Sequence, residues 1–281
     1  MARKGRMKSN VFVKPNDQSD ACIGYGMARK GRMKSNNKIM VADIRKWRFD
    51  QLYIKKYKKV MIIKVCGMRE AENIRAVESL GVDWIGLIFS PESPRFVSQI
   101  LSRGGFIPDY SSLAGQPHGC KRVGVFVDDM PQNIVTRVVN YQLDIVQLHG
   151  HESAVMIDNL RRTLVPDISP GIQIMKALPV SSREDVERYK EYVGHVDYFL
   201  FDTKSPLPGG SGQQFDWSVL EAYDGDVPFL LSGGIGPDDA ERVKAFRHPQ
   251  FAGIDLNSRF ETAPAVKDVE RLRKFLGALA E

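Results

Sequence analysis

A chain of 281 residues, 43% of them hydrophobic, can build one large core or two smaller ones. The net charge of +6 comes from one end: residues 1–60 hold 17 Lys and Arg against 4 Asp and Glu, leaving 23 basic and 30 acidic residues for 61–281. No stretch approaches the ~18 apolar residues of a membrane helix. Three scattered cysteines, Cys22, Cys66 and Cys120, give neither a disulfide framework nor a metal-type spacing, so reduced thiols and a cytoplasmic protein are expected.

Met1 to Asn10 reads MARKGRMKSN, and Met27 to Asn36 repeats it unchanged. Two copies do not make a solenoid, which needs several units to bury a core. With little apolar periodicity, residues 1–60 are expected to be a disordered or poorly structured basic extension outside the fold, with Met61 as the natural beginning. Two other readings stay open. Lys55, Lys56, Lys58 and Lys59, with Trp47, Tyr53 and Tyr57 among the charges, would suit a basic arm touching nucleic acid. Richness in Lys and Arg would also suit an organelle-targeting leader.

From Met61 short apolar runs alternate with amphipathic stretches. Strands are expected at Ile62–Val65, Trp84–Phe89, Arg122–Val127, Ile145–Leu148, Ile172–Ala177, Tyr198–Phe201, Pro228–Leu231 and Gly253–Leu256. Helical patterns fall at Glu70–Leu80, Pro131–Tyr141, Glu152–Arg162, Arg183–Tyr192, Asp238–Phe246 and Lys267–Leu279, with short ones from Ser98 and near Asp216–Glu221. Eight apolar strands alternating with helices predict a single closed parallel (β/α)₈ barrel over 61–281. An open doubly wound sheet is the alternative, but Cys66-Gly67-Met68-Arg69-Glu70 is no dinucleotide fingerprint. Ser102–Cys120, rich in Gly, Ser and Pro, reads as a surface loop on the barrel face away from the active site.

In such a barrel, polar residues at the carboxyl ends of strands share one mouth. Those positions hold Cys66, Arg95, Asp128-Asp129, Gln147-Leu148-His149, Lys176, Asp202, Ser232-Gly233-Gly234 and Asp255-Leu256-Asn257-Ser258. Together they suit acid–base work on an anionic substrate. Ser232-Gly233-Gly234-Ile235-Gly236-Pro237 is expected to cradle a phosphate, because glycines let backbone N–H groups approach and Pro237 would open a helix. Pro206–Gln214 is either a mobile connector or a lid. Taken alone, Cys66 reads equally as a small core filler. Asp128, Asp129 and His151 read as loop or capping residues.

Several runs, in this order, resemble the phosphoribosylanthranilate isomerase family of tryptophan biosynthesis. They are Lys64-Val65-Cys66-Gly67, Ser93-Pro94-Arg95-Phe96-Val97, Val125-Phe126-Val127, Gln147-Leu148-His149-Gly150, Asp202-Thr203-Lys204, Gly209-Gly210-Ser211-Gly212, Phe215-Asp216-Trp217 and Leu231-Ser232-Gly233-Gly234. The likeness runs across 61–281 and leaves 1–60 without a counterpart. It implies an Amadori rearrangement of an aminoaldose to an aminoketose, without metal or organic cofactor. By resemblance, Asp202 is the general acid that protonates the ring oxygen, and Cys66 is the general base that takes the proton from carbon-2. Arg95 would clamp the anthranilate carboxylate, with Gln147, His149 and Asp255 also at the substrate. Gly212, Ser232, Gly233, Gly234, Asn257 and Ser258 would hold the phosphate. These roles would require the Asp202 carboxyl to rise from about 3.9 and Cys66, ordinarily about 8.5, to reach some thiolate.

The likeness departs after the eighth strand, where the family usually carries Asp-Val-Ser-Ser-Gly-Val-Glu and this chain reads Asp255-Leu256-Asn257-Ser258-Arg259-Phe260-Glu261. Arg259 in place of glycine restricts positive φ and puts a cation near the phosphate. The expected partner is a small phosphorylated molecule, not a membrane or nucleic acid, and the chain is expected to be a monomer or homodimer. The alternative is a non-catalytic or differently specific phosphate-binding barrel with a nucleic-acid-binding arm. Barrels that rearrange a histidine intermediate tend to use two Asp residues, so Cys66 separates this chain from them.

Overall fold

The computed structural model describes residues 61–98, 119–204 and 216–281. The basic extension, the helix expected from Ser98, most of Ser102–Cys120 and the Pro206–Gln214 loop with Gly212 lie outside the described residues. Eight strands close a parallel barrel in chain order: β1 Ile62–Val65, β2 Trp84–Ile88, β3 Lys121–Phe126, β4 Ile145–Leu148, β5 Gln173–Val180, β6 Tyr198–Thr203, β7 Phe229–Leu231 and β8 Phe251–Leu256. The closing seam joins β8 to β1, with Ile62 opposite Gly253 and Lys64 opposite Asp255. Among the described residues, no helix is long and apolar enough to cross a membrane.

The two-residue period of the strands sorts their side chains into two layers. Trp84, Val123, Ile145, Met175, Ala177, Leu200 and Leu230 form a cluster filling the barrel, and Cys66, Ile88 and Val125 form another toward the strand ends. Side chains of opposite parity, such as Ile63, Val65, Ile85, Leu87, Ile174, Phe199 and Phe201, belong to a larger cluster with the helices. Into it pack Ile74 and Val77 of α1 (Ala71–Glu78), Ile134 and Val138 of α2 (Pro131–Tyr141), and Ile157, Leu160 and Leu164 of α3 (Ala154–Leu164). Pro131 starts α2 without forfeiting a helical hydrogen bond, and the Ser153 hydroxyl caps α3 by accepting from the Met156 N–H.

Several expected elements change on folding. The helix expected over Arg183–Tyr192 is a short α4 (Arg183–Glu187) running into a 3₁₀ turn at Arg188–Tyr192. The element near Asp216 is a 3₁₀ turn, Trp217–Ala222. The helix after Pro237 begins only at Ala240 (α5, Ala240–Ala245). The last helix, α6, starts at Val269 because the Asp268 carboxylate caps it, accepting from the Arg271 N–H at 3.0 Å. Lys267, expected in that helix, instead belongs to an antiparallel hairpin, β9 Glu261–Ala263 with β10 Val266–Lys267, that periodicity did not indicate. Two strands of three and two residues are too short to carry a pattern.

The seam yields a test of closure. A Cβ added at Gly253 would overlap the Ile62 carbonyl oxygen, and would come within 2.6 Å of Ile62 Cβ. Gly253→Ala is therefore expected to destabilise the protein by about 1–3 kcal/mol, the usual cost of overpacking, read as a lowered urea midpoint at unchanged m-value.

Candidate active site

The carboxyl ends of the strands surround a cavity of about 350 Å³. Continuing the inward rows of the barrel puts Cys66 after β1, Gln147 and His149 at β4, Asp202 in β6, Ser232 after β7, and Asp255 and Asn257 at β8 on its wall. All are among the residues expected there. Of the other expected residues, Gly212 lies outside the described residues, and Arg95 is buried beside the cavity without lining it.

Cys66 stands two residues beyond Lys64, on the same face of β1. Lys64 is wholly buried, and its Nζ donates to Asp255 Oδ1 at 2.9 Å across the seam. Burial alone would lower the lysine. The charges of Asp255 and then Cys66 outweigh it and hold Lys64 above its ordinary value. The thiol experiences the converse. Burial pushes Cys66 up, against the nearby Lys64 and Lys267 cations that favour thiolate, and the net direction is upward.

Asp202 lies opposite in chemistry. His149 Nε2 is 3.4 Å from Asp202 Oδ2, while His149 Nδ1 is 3.3 Å from Gln147 Nε2. The Gln147 amide donates to Nδ1, which leaves the Nε2 proton facing the carboxylate. Burial would raise Asp202, but hydrogen bonds from His149, Ser232 and the Thr203 N–H outweigh it and hold the carboxyl below its ordinary value. Both directions are the reverse of those the sequence-based roles required. The unliganded pocket favours a thiol at Cys66 and a carboxylate at Asp202, because Cys66 is desolvated more than its cations compensate and Asp202 is rich in donors. Among the described residues, Gln147 Oε1 is a buried acceptor with no hydrogen-bond partner, on a residue that lines the cavity.

The glycine turn is built as expected, with one correction. Gly233 and Gly234 have φ of +93° and +68°, and a Cβ at Gly233 would collide with Thr203, so the turn packs against the end of β6. The helix expected at Pro237 does not open there. It begins three residues later, and the Asp239 carboxylate takes the Gly236 N–H at 2.6 Å.

Sequence reasoning missed the group behind Arg95. Nε and Nη2 of Arg95 fork onto both oxygens of Glu261, at 2.8 and 2.7 Å. Lys267 Nζ joins the same carboxylate at 2.5 Å and Asn257 Oδ1 at 2.9 Å. Only the β9–β10 hairpin returns Glu261 and Lys267 to this point, so no local signal could reveal them. Lys176 lines the cavity as well, although its side chain has the parity of Ile174 and Leu178. Its Nζ is buried on Glu152, 3.2 Å away, and on the Gly150 carbonyl oxygen, 2.8 Å away. Arg188, exposed where the 3₁₀ turn begins, lines the rim and was not foreseen. Asp128 and Asp129 serve the loops as expected, Asp128 accepting from His151 and Asp129 from the Met130 N–H. Among the described residues, no group of three or more His, Cys, Asp or Glu is placed to hold a metal ion.

Known proteins match this barrel over nearly all of it. The family model described as N-(5'-phosphoribosyl)anthranilate (PRA) isomerase matches residues 63–278. The N-(5'-phosphoribosyl)anthranilate isomerase of Parabacteroides distasonis is 46% identical over 216 residues, 77% of this chain and 92% of that one. Among solved structures, the phosphoribosyl anthranilate isomerase of Thermus thermophilus superposes with a TM-score of 0.63 at 28% identity, over 78% of this chain and 98% of its own. A phosphoribosyl anthranilate isomerase in complex with reduced 1-(o-carboxyphenylamino)-1-deoxyribulose 5-phosphate gives 0.60 at 26% identity, over 78% and 98%. With so much of the barrel matched at these identities, the chain belongs to the N-(5'-phosphoribosyl)anthranilate isomerase family.

Proposed function

We propose that this chain converts N-(5-phosphoribosyl)anthranilate to 1-(2-carboxyphenylamino)-1-deoxyribulose 5-phosphate, in tryptophan biosynthesis, with Cys66 as general base and Asp202 as general acid. The observation that carries the assignment is that Cys66 and Asp202 line one cavity together with the Gly233-Gly234 turn. A proton delivered to the ring oxygen breaks the bond to carbon-1 and leaves a Schiff base. Removal of the carbon-2 proton then gives an enolamine, which tautomerises to the ketone. No net proton is gained or lost.

The proton for the ring oxygen comes from Asp202, with His149 as the neighbour that resupplies it. Substrate displaces water from the pocket, and desolvation moves a carboxyl upward, the direction that role needs. Lys64 and Lys267 favour the thiolate when Cys66 takes the carbon-2 proton. Gln147 Oε1 accepts from a substrate hydroxyl or from the anthranilate N–H, which would satisfy an otherwise orphaned buried atom. Ser232, Gly233, Gly234, Asn257 and Ser258, with Gly212, bind the phosphate, and Asp255 acts on the substrate side mainly through Lys64. The substrate carboxylate has two candidate cations. Arg95 keeps Nη1 beyond its fork to Glu261, and Arg188 stands on the rim. Residues 61–281 are proposed to hold the whole activity, with the basic extension dispensable, as a monomer or homodimer in the cytoplasm. The free thiols of Cys66 and Cys120 support that compartment.

Three outcomes test this reading. Cys66→Ala and Asp202→Asn should each lower kcat by about 10²–10⁴-fold, the usual worth of an acid or base, with circular dichroism unchanged. Near-normal turnover in either removes its role, and a chain beginning at Met61 should match the full chain. Secondly, with the base raised and the acid lowered, only a small constant fraction carries thiolate and protonated carboxyl together. The profile of kcat/KM should then be flat between about pH 5 and 8, with its alkaline limb above about 8.5; a steep rise through neutrality would contradict these protonation states. Thirdly, Arg95→Ala and Arg188→Ala are compared on KM. The carboxylate contact is the one whose loss raises KM at least about tenfold.

A further inference from the structure

We propose, building on the phosphate reading above, that Arg259 supplies the side-chain cation of the phosphate subsite. The turn after β7 and the segment after β8 face the same cavity, and Arg259 lines it together with Gly233, Gly234, Asn257 and Ser258. It stands where the family resemblance leads one to expect glycine. The backbone does not need one: Arg259 lies in the 3₁₀ turn Ser258–Phe260 and is not among the residues at positive φ. Its carbonyl oxygen accepts from Arg271 Nη1 at 3.2 Å, and Phe260 beside it is fully buried, so the base of the side chain is fixed.

Charge gives the reason for a cation here. Helix α5 has only six residues, and the carboxylate of Asp239, which precedes it, caps none of its N–H groups but takes the Gly236 N–H in the turn. The turn therefore presents fewer free N–H groups than its sequence promised, beside a negative charge that opposes a phosphate dianion. Arg259 lies at that spot: a Cβ built on Gly236 would be 3.6 Å from Asp239 Oδ2 and 3.8 Å from both Cβ and Cγ of Arg259. Arg259 is exposed, and its planar fork matches phosphate geometry. It neutralises the subsite that Asp239 would otherwise make unfavourable, and adds a charge-assisted hydrogen bond to the phosphate.

The test uses the full chain, with phosphoribosylanthranilate as substrate and inorganic phosphate as competitive inhibitor. Arg259→Ala should raise both KM and the phosphate inhibition constant about tenfold, as expected for losing a contact made equally in ground and transition states. Arg259→Lys should recover most of that loss, and KM should depend less on ionic strength in the Ala variant than in the parent. Unchanged KM and inhibition constant in Arg259→Ala overturn the proposal. Gly233→Val separates the two levels of the argument. If it weakens phosphate inhibition while Arg259→Ala does not, the turn binds phosphate without Arg259. If neither does, the phosphate reading of the turn falls, and the role of Arg259 with it.

Discussion

The contact between Lys64 Nζ and Asp255 Oδ1, 2.9 Å across the seam that closes the barrel, sets the terms for the rest of the site. It joins the first strand to the last with two charges withdrawn from water, an arrangement that rarely adds stability because desolvation offsets the attraction. What it provides is field. Lys64 stays cationic one inward position below Cys66, so the thiol has a positive neighbour that solvent cannot screen. A hydrophobic pair would fill the same space and close the same seam, but it would remove Lys64 from beside Cys66 and leave Lys267 to oppose the burial that favours the neutral thiol.

Around that pair the two proton-handling groups are held in opposite ways. Cys66 is short of donors and desolvated, whereas Asp202 receives hydrogen bonds from His149, Ser232 and the Thr203 backbone. The resting pocket is thus stable in the protonation states that do no chemistry. The proposed reaction requires substrate binding to change that balance, by removing water and adding a second charge.

A second network ties the two ends of the pocket together. Glu261 receives the fork of Arg95 and the ammonium of Lys267, and Lys267 in turn holds Asn257 at the phosphate side. One buried carboxylate thus joins Arg95, which packs beside Gly67, to Lys267 and through it to Asn257. The β9–β10 hairpin exists at the point where this carboxylate must turn inward.

Much of this protein is legible in its sequence because the signals are local. Alternating apolar runs and amphipathic stretches set β1, β4 and α2 at their observed limits, since a strand buried on both faces and a helix buried on one each leave a repeating pattern. Cys66, Asp202 and the Gly233-Gly234 turn stand out because barrel strands send their carboxyl ends to one mouth. Tertiary structure alone decided which protonation states those residues hold, that Arg95 is forked to Glu261, and that Asp239 occupies the start of the helix after the turn. The first two depend on groups far apart in the chain, Lys64 with Asp255 and Arg95 with Glu261, brought within hydrogen-bond distance only when the barrel closes. Electrostatic effects fall off with distance and depend on burial, and a sequence specifies neither until it is folded.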